Sequence, residues 1–102
     1  MDTISTENLK KRMDAGEQLL LVDVREPEEN AAFNIGGILM PLGQILSFQT
    51  GPIENKKQEE IICYCRSGKR SLQACMMLET MGFTNVKNLT GGMLDWQEKI
   101  KP

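Results

Sequence analysis

The sequence contains no histidine. Without imidazole, a Cys/His dyad, a Ser/His/Asp triad and a histidine-ligated metal are excluded. Long apolar runs are missing as well: the longest, residues 19–22 and 61–64, fall far short of a membrane span. The charged opening, residues 1–12, has no signal-peptide hydrophobic region, so a cytoplasmic protein is expected. Cysteine is scarce, with three in 102 residues and neither a disulfide-framework spacing nor the paired C-x-x-C of a zinc site. Reduced thiols in a reducing compartment follow. An excess of one charge is also lacking. The net charge of -2 argues against nucleic acid, an anionic membrane surface or a strongly basic partner.

What is present is the composition of an ordinary globular protein, 40% hydrophobic and 25% charged, in a length that fits one compact domain over residues 1–102. Ser5 is placed to cap a short amphipathic helix over residues 6–13 that ends near Ala15 and Gly16. Residues 19–24 form an almost continuously apolar run of strand length, the pattern of a parallel strand covered on both faces. Pro27, with Glu26, Glu28 and Glu29 around it, starts a helical turn, and these acids read as a solvated helix face. A short strand over residues 38–40 stops before Pro41, and residues 42–48 allow one or two helical turns.

Residues 49–60 are polar, carry Gly51 and Pro52, and read as a loop. Residues 60–64 are the next apolar strand, followed by a helix over 70–81 with Ala74, Met77, Leu78 and Met81 as its buried stripe. A strand over 85–89 and a helix over 92–101 complete the chain. Strands alternating with helices at these intervals predict an α/β fold with a largely parallel sheet. Cys65 then lies where a strand ends and a helix begins, the edge at which open α/β sheets bind ligands.

The residues around Cys65 suit an anionic sulfur. Arg66, Lys69 and Arg70 place a local charge of +3 within five residues in a chain whose total is -2. Backbone N–H groups of a loop entering a helix N-terminus form an anion nest. Such surroundings lower a thiol pKa from about 8.5 into the range of roughly 3.5 to 7.5. Cys65 would be a thiolate at neutral pH without a general base. Gly68 lets the loop turn and approach the sulfur.

The string Cys65-Arg66-Ser67-Gly68-Lys69-Arg70-Ser71 resembles the active-site loop of rhodanese-like domains. Three further segments resemble the same family in the same order: residues 21–29, Ile35-Gly36-Gly37-Ile38 with Met40-Pro41-Leu42, and residues 89–96. The resemblance implies a mainly parallel five-stranded sheet flanked by helices on both faces. It also implies a single-domain sulfurtransferase in which Cys65 carries sulfur as a persulfide and residues 66–71 bind the anionic donor. Thiosulfate or a similar sulfane donor would supply the sulfur, and cyanide, a thiol or a protein sulfur acceptor would take it, with no cofactor and no metal. One departure stands out: where the family often has Gly-His-Ile, this chain has Phe33-Asn34-Ile35, so Asn34 replaces a histidine and the pocket shape changes.

Two other readings compete. A non-catalytic rhodanese-like module could dock a partner or sense oxidants. Phosphatases and arsenate reductases, by resemblance, use a cysteine loop with five residues between cysteine and arginine; four separate Cys65 from Arg70, a ring tighter than a phosphate needs. Cys63 and Cys75 read as small core residues, and Cys63 is expected to face away from Cys65. Asp23 and Arg25, after the first apolar strand, either line the pocket or form an internal ion pair. Trp96 and the methionines Met76, Met77 and Met81 read as packing.

Overall fold

A computed structural model describes residues 1–100. The chain order is β1 (Asp2–Ile4), α1 (Thr6–Asp14), β2 (Leu20–Asp23), α2 (Pro27–Ala32), β3 (Ile38–Leu39), α3 (Leu42–Leu46), a 3-10 helix (Gly51–Lys56), β4 (Ile61–Tyr64), α4 (Lys69–Thr80), β5 (Val86–Leu89) and α5 (Gly92–Lys99). The five strands form one sheet in the order β1-β5-β4-β2-β3, and every pairing is parallel.

The two-residue alternation of β4 divides the core into two layers. Ile61 and Cys63 face one side, where Ile45 of α3, Ile53 of the 3-10 helix and Ala74, Cys75 and Leu78 of α4 are fully buried against them. Ile62 and Tyr64 face the other, with Leu9 of α1 and Met93 and Trp96 of α5. Because both faces are covered, β4 needs no polar side, which is why residues 61–64 form an unbroken apolar run. The same alternation puts Cys65 in the layer of Cys63, contrary to the expectation of opposite faces, since residues two apart in a strand share a face.

Ser5 caps α1 as expected, its hydroxyl accepting the Asn8 N–H at 3.1 Å. Pro27 sits at the start of α2, and Glu26 and Glu29 form a reciprocal capping box. Met76 departs from the packing expectation: it is 57% exposed on the outer side of α4, whereas Met77 and Met81 do pack against the core. The segment expected as a loop over residues 49–60 carries a 3-10 helix pinned by the fully buried Ile53. The last helix ends at Lys99, and the expectation for Lys101 lies outside the described residues.

At the amino end of β4, opposite the end that Cys65 follows, Glu60 gathers two cations. Arg12 Nη1 reaches it at 3.0 Å, and Lys87 also pairs with it. The Arg12 guanidinium, with help from Lys87 against burial, holds its carboxyl at about 2 instead of the ordinary 4.5. A carboxylate with a depressed pKa stabilises the fold above its unfolded value and ceases to do so as pH falls between the two. The urea midpoint should therefore drop as pH is lowered from 4.5 toward 2, less steeply in Glu60→Gln than in the parent. Equal slopes in the two proteins would refute the assignment. No described helix is long and apolar enough to cross a membrane.

Candidate active site

Cys65 follows the last residue of the central strand β4 and is only 1% exposed. Its sulfur is held from the N-terminus of α4. The Gly68 N–H donates to Sγ at 3.1 Å and the Ser71 N–H at 3.4 Å, while the Ser71 hydroxyl lies 3.3 Å away. Gly68 caps α4 in the left-handed region at φ 99°, a conformation that costs glycine nothing and turns its N–H onto the sulfur. Behind the loop, the Met93 and Leu94 N–H groups donate to the carbonyls of Cys65 and Arg66, each at 2.9 Å. A side chain at Gly92 would fall on the Cys65 carbonyl oxygen. Gly92 thus serves the back of the cysteine loop, whereas a side chain at Gly91 would meet Asp95 of α5.

Burial pushes the Cys65 thiol up, but the Ser71 hydroxyl and the N–H groups of Ser71, Gly68 and Ser67 outweigh it and bring the thiol below its ordinary value. The expected amide nest is present. The expected contribution of three cations takes a different form: Arg66 and Lys69 are exposed, and Arg70 is engaged elsewhere. Its guanidinium grips Glu29 at 2.7 and 2.8 Å. Glu29 is therefore no solvated face residue. Arg70 holds its carboxyl at about 2, and the pair ties α2 to the start of α4.

Asp23 and Arg25 form the internal ion pair. Asp23 is fully buried and accepts from Arg25 Nε and Nη2, both at 2.9 Å, and from Asn30 Nδ2 at 2.9 Å. Arg25 Nη2 also donates to the Phe33 carbonyl at 2.6 Å, and the guanidinium stacks 5.5 Å from the Tyr64 ring centre. Arg25 at the same time lines a cleft of about 250 Å³ beside the loop, with Glu29, Phe33, Arg66, Met93 and Leu94. A larger cleft of about 540 Å³ lies away from the sulfur, lined by residues of α1 and β5 that include Lys11, Arg12 and Lys87. Of the two, the smaller cleft has a residue of the cysteine loop, Arg66, on its wall, and the larger has none. Asn34 serves its own turn, accepting from the Gly36 N–H at 2.8 Å and donating to the Asn30 carbonyl at 3.0 Å.

Cys63 and Cys75 are fully buried in the core layer under α4. Contact with the Cys75 thiol, together with burial, pushes Cys63 well above the ordinary cysteine range, so it stays a protonated core residue. Among the described residues no cluster of acids or cysteines could hold a metal ion. Asn88 escaped the sequence reading. It accepts the Ser71 hydroxyl and donates to the Gly68 carbonyl at 3.1 Å, but it lies 17 and 20 residues from these partners, with no local pattern to mark it.

Comparison with known proteins agrees with this architecture. The Rhodanese-like domain family matches residues 5–99. An Allochromatium vinosum protein named Sulfurtransferase is 36% identical over 94% of this chain and 88% of its own. The human Thiosulfate:glutathione sulfurtransferase is 32% identical over 95% of this chain and 94% of its own. The structure of the human single-domain sulfurtransferase TSTD1 superposes with a TM-score of 0.83 at 28% identity, covering 99% of each chain. Sheet order, cysteine loop and sequence similarity over nearly the whole length converge, and the chain belongs to the rhodanese-like domain family.

Proposed function

We propose that the chain is a sulfurtransferase that moves sulfane sulfur from thiosulfate or a similar small anionic donor to a thiophilic acceptor through a persulfide on Cys65. The observation that carries this reading is the pair of N–H groups, from Gly68 and Ser71, directed at a cysteine sulfur at the carboxyl end of the central strand. In the first half-reaction the Cys65 thiolate attacks the outer sulfur of the donor. The donor's S–S bond breaks, and sulfite departs with its electron pair. The charge then rests on the outer sulfur of the persulfide, where the loop amides and the nearby cations oppose it. In the second half-reaction a cyanide or thiolate acceptor attacks that outer sulfur and Cys65 leaves as the thiolate. This is double-displacement covalent catalysis.

The cleft beside the loop supports an organic thiol as the acceptor, because exposed Phe33 and Leu94 offer apolar surface that neither thiosulfate nor cyanide can use. The activity named for the human relative, with glutathione as a partner, points the same way.

Intact mass after exposure to thiosulfate should rise by one sulfur atom, with the addition mapped to Cys65, and should revert on treatment with cyanide as thiocyanate appears. Sulfur found on Cys63 or Cys75, or no gain from any sulfane donor, would overturn the proposal. The second outcome would leave a binding module.

A further inference from the structure

Ser71 has one hydroxyl proton and two neighbours able to take it. Asn88 Oδ1 accepts it on one side, and Cys65 Sγ lies 3.3 Å away on the other. Asn88 cannot turn its amide around, because its Nδ2 donates to the Gly68 carbonyl at 3.1 Å and a flip would set two carbonyl oxygens against each other. At 6% exposure it has little access to a substitute donor from water.

We infer that Asn88 is a positioning residue that commands the Ser71 proton, so that the Cys65–Ser71–Asn88 chain is satisfied when Sγ carries a proton or a second sulfur and frustrated when Sγ is a bare thiolate. In the thiol state, S–H donates to the Ser71 oxygen and Ser71 donates to Asn88. In the persulfide state, Sγ is a neutral sulfide and Ser71 still serves Asn88. Only the bare thiolate forces a choice: either Ser71 turns to the sulfur and leaves a buried amide oxygen without a donor, or it keeps Asn88 and points a lone pair at an anion. The two backbone N–H groups remain on the sulfur throughout. The hydroxyl therefore lowers the thiol only in competition with Asn88, and the thiolate is held back from full stabilisation, which preserves its nucleophilicity, since a thiolate's intrinsic nucleophilicity falls as its thiol is made more acidic. The account of the loaded state rests on the persulfide proposed above; the thiol–thiolate step does not.

No other nearby charge can produce the same effect. Arg70 on α4 is held by Glu29, and Arg25 on the strand beside β4 is held by Asp23. Cys63 on β4 and Cys75 on α4 are core thiols, Lys87 on β5 is paired with Glu60, and Asp95 on α5 bonds Thr6 and Lys99. Arg66 and Lys69 are exposed.

The test is the pH dependence of Cys65 alkylation by iodoacetamide, read by peptide mass, in Asn88→Leu, Asn88→Ala, Ser71→Ala and the double variants, with thermal melts to confirm folding. Asn88→Leu frees the hydroxyl for the sulfur and should lower the Cys65 titration midpoint by about one pH unit. Asn88→Ala removes the same acceptor with a smaller side chain, adds no charge, and should shift the midpoint in the same direction. Both shifts should shrink in the Ser71→Ala background, which also subtracts any loosening of the Gly68 carbonyl. An unchanged or raised midpoint in Asn88→Leu, or a shift in either variant as large without the Ser71 hydroxyl as with it, would overturn the inference. Should the leucine variant fail to fold, the alanine variant decides by the same criterion. Alkylation needs no sulfur transfer, so failure here is distinct from failure of the proposed activity.

Discussion

Cys65→Ser should reduce thiocyanate formation from thiosulfate and cyanide by on the order of a thousandfold or more. The substitution keeps the side chain's size and a hydrogen-bonding atom, so the loop retains its fold. What it removes is the anion. A serine hydroxyl does not ionise near neutral pH, and in a chain without histidine no side chain stands ready as a conventional base to remove its proton. The N–H groups of Gly68 and Ser71 would then address a neutral oxygen. Cys75→Ala is the matching control, because that sulfur lies in the core layer under α4 and touches the loop only through packing; it should cost stability and leave the rate nearly intact. The pH profile supplies a second readout. Since the Cys65 thiol lies below its ordinary value, activity should rise with pH as the thiolate forms and level off before the pH at which an unperturbed cysteine titrates. Cys65→Ser retaining a tenth of the parent rate would sink the assignment of the nucleophile.

Much of this site can be read from local sequence because its parts are local. Residues 61–64 are apolar without interruption since β4 is covered on both faces, and the switch to Arg66, Ser67 and Gly68 marks the strand's end. That alone places Cys65 at the ligand edge of the sheet. The features that escaped have partners distant in the chain. Asp2–Ile4 forms an edge strand only by pairing with residues 87–89, and Ile4 alone of the three is buried, so neither alternation nor an apolar run announces it. Glu29 looks like one more acid on an acidic helix until Arg70, 41 residues later, closes on it. Asn88 sits in a strand and is polar, a combination that sequence reads as a solvent-facing position; here it faces the loop because the register sets it opposite Cys63. Cys63 and Cys65 are legible too, since the period of two puts residues two apart on one face of the sheet. The Cys65 cations were overvalued for a physical reason: long basic side chains reach past a buried sulfur to find carboxylates or water, whereas backbone amides cannot move away.

Removing the Asp23 carboxylate should destabilise the protein more than any exposed-charge substitution, by about 3–5 kcal/mol. Arg25 has a side-chain exposure of 6%, and Asp23 is its partner at both Nε and Nη2. Asp23→Ala would strand that guanidinium in the interior, together with the Asn30 amide and the Arg25 backbone N–H that the same carboxylate accepts. For a domain of this size, whose total stability is about 5–15 kcal/mol, the loss is a large fraction. The double variant Asp23→Ala, Arg25→Met removes both charges and should be less destabilised than the sum of the single variants, the sign of direct coupling. Urea unfolding with a constant slope measures all three; single effects that simply add, or an Asp23→Ala loss below about 1 kcal/mol, would show that the pair is not holding the strand end. The consequence reaches the site through a single contact. Arg25 Nη2 also fixes the Phe33 carbonyl, and Arg25 and Phe33 both line the cleft beside the cysteine loop. Arg25→Lys, which keeps the charge but lacks the planar fork, should therefore impair the acceptor half-reaction while donor loading of Cys65 proceeds.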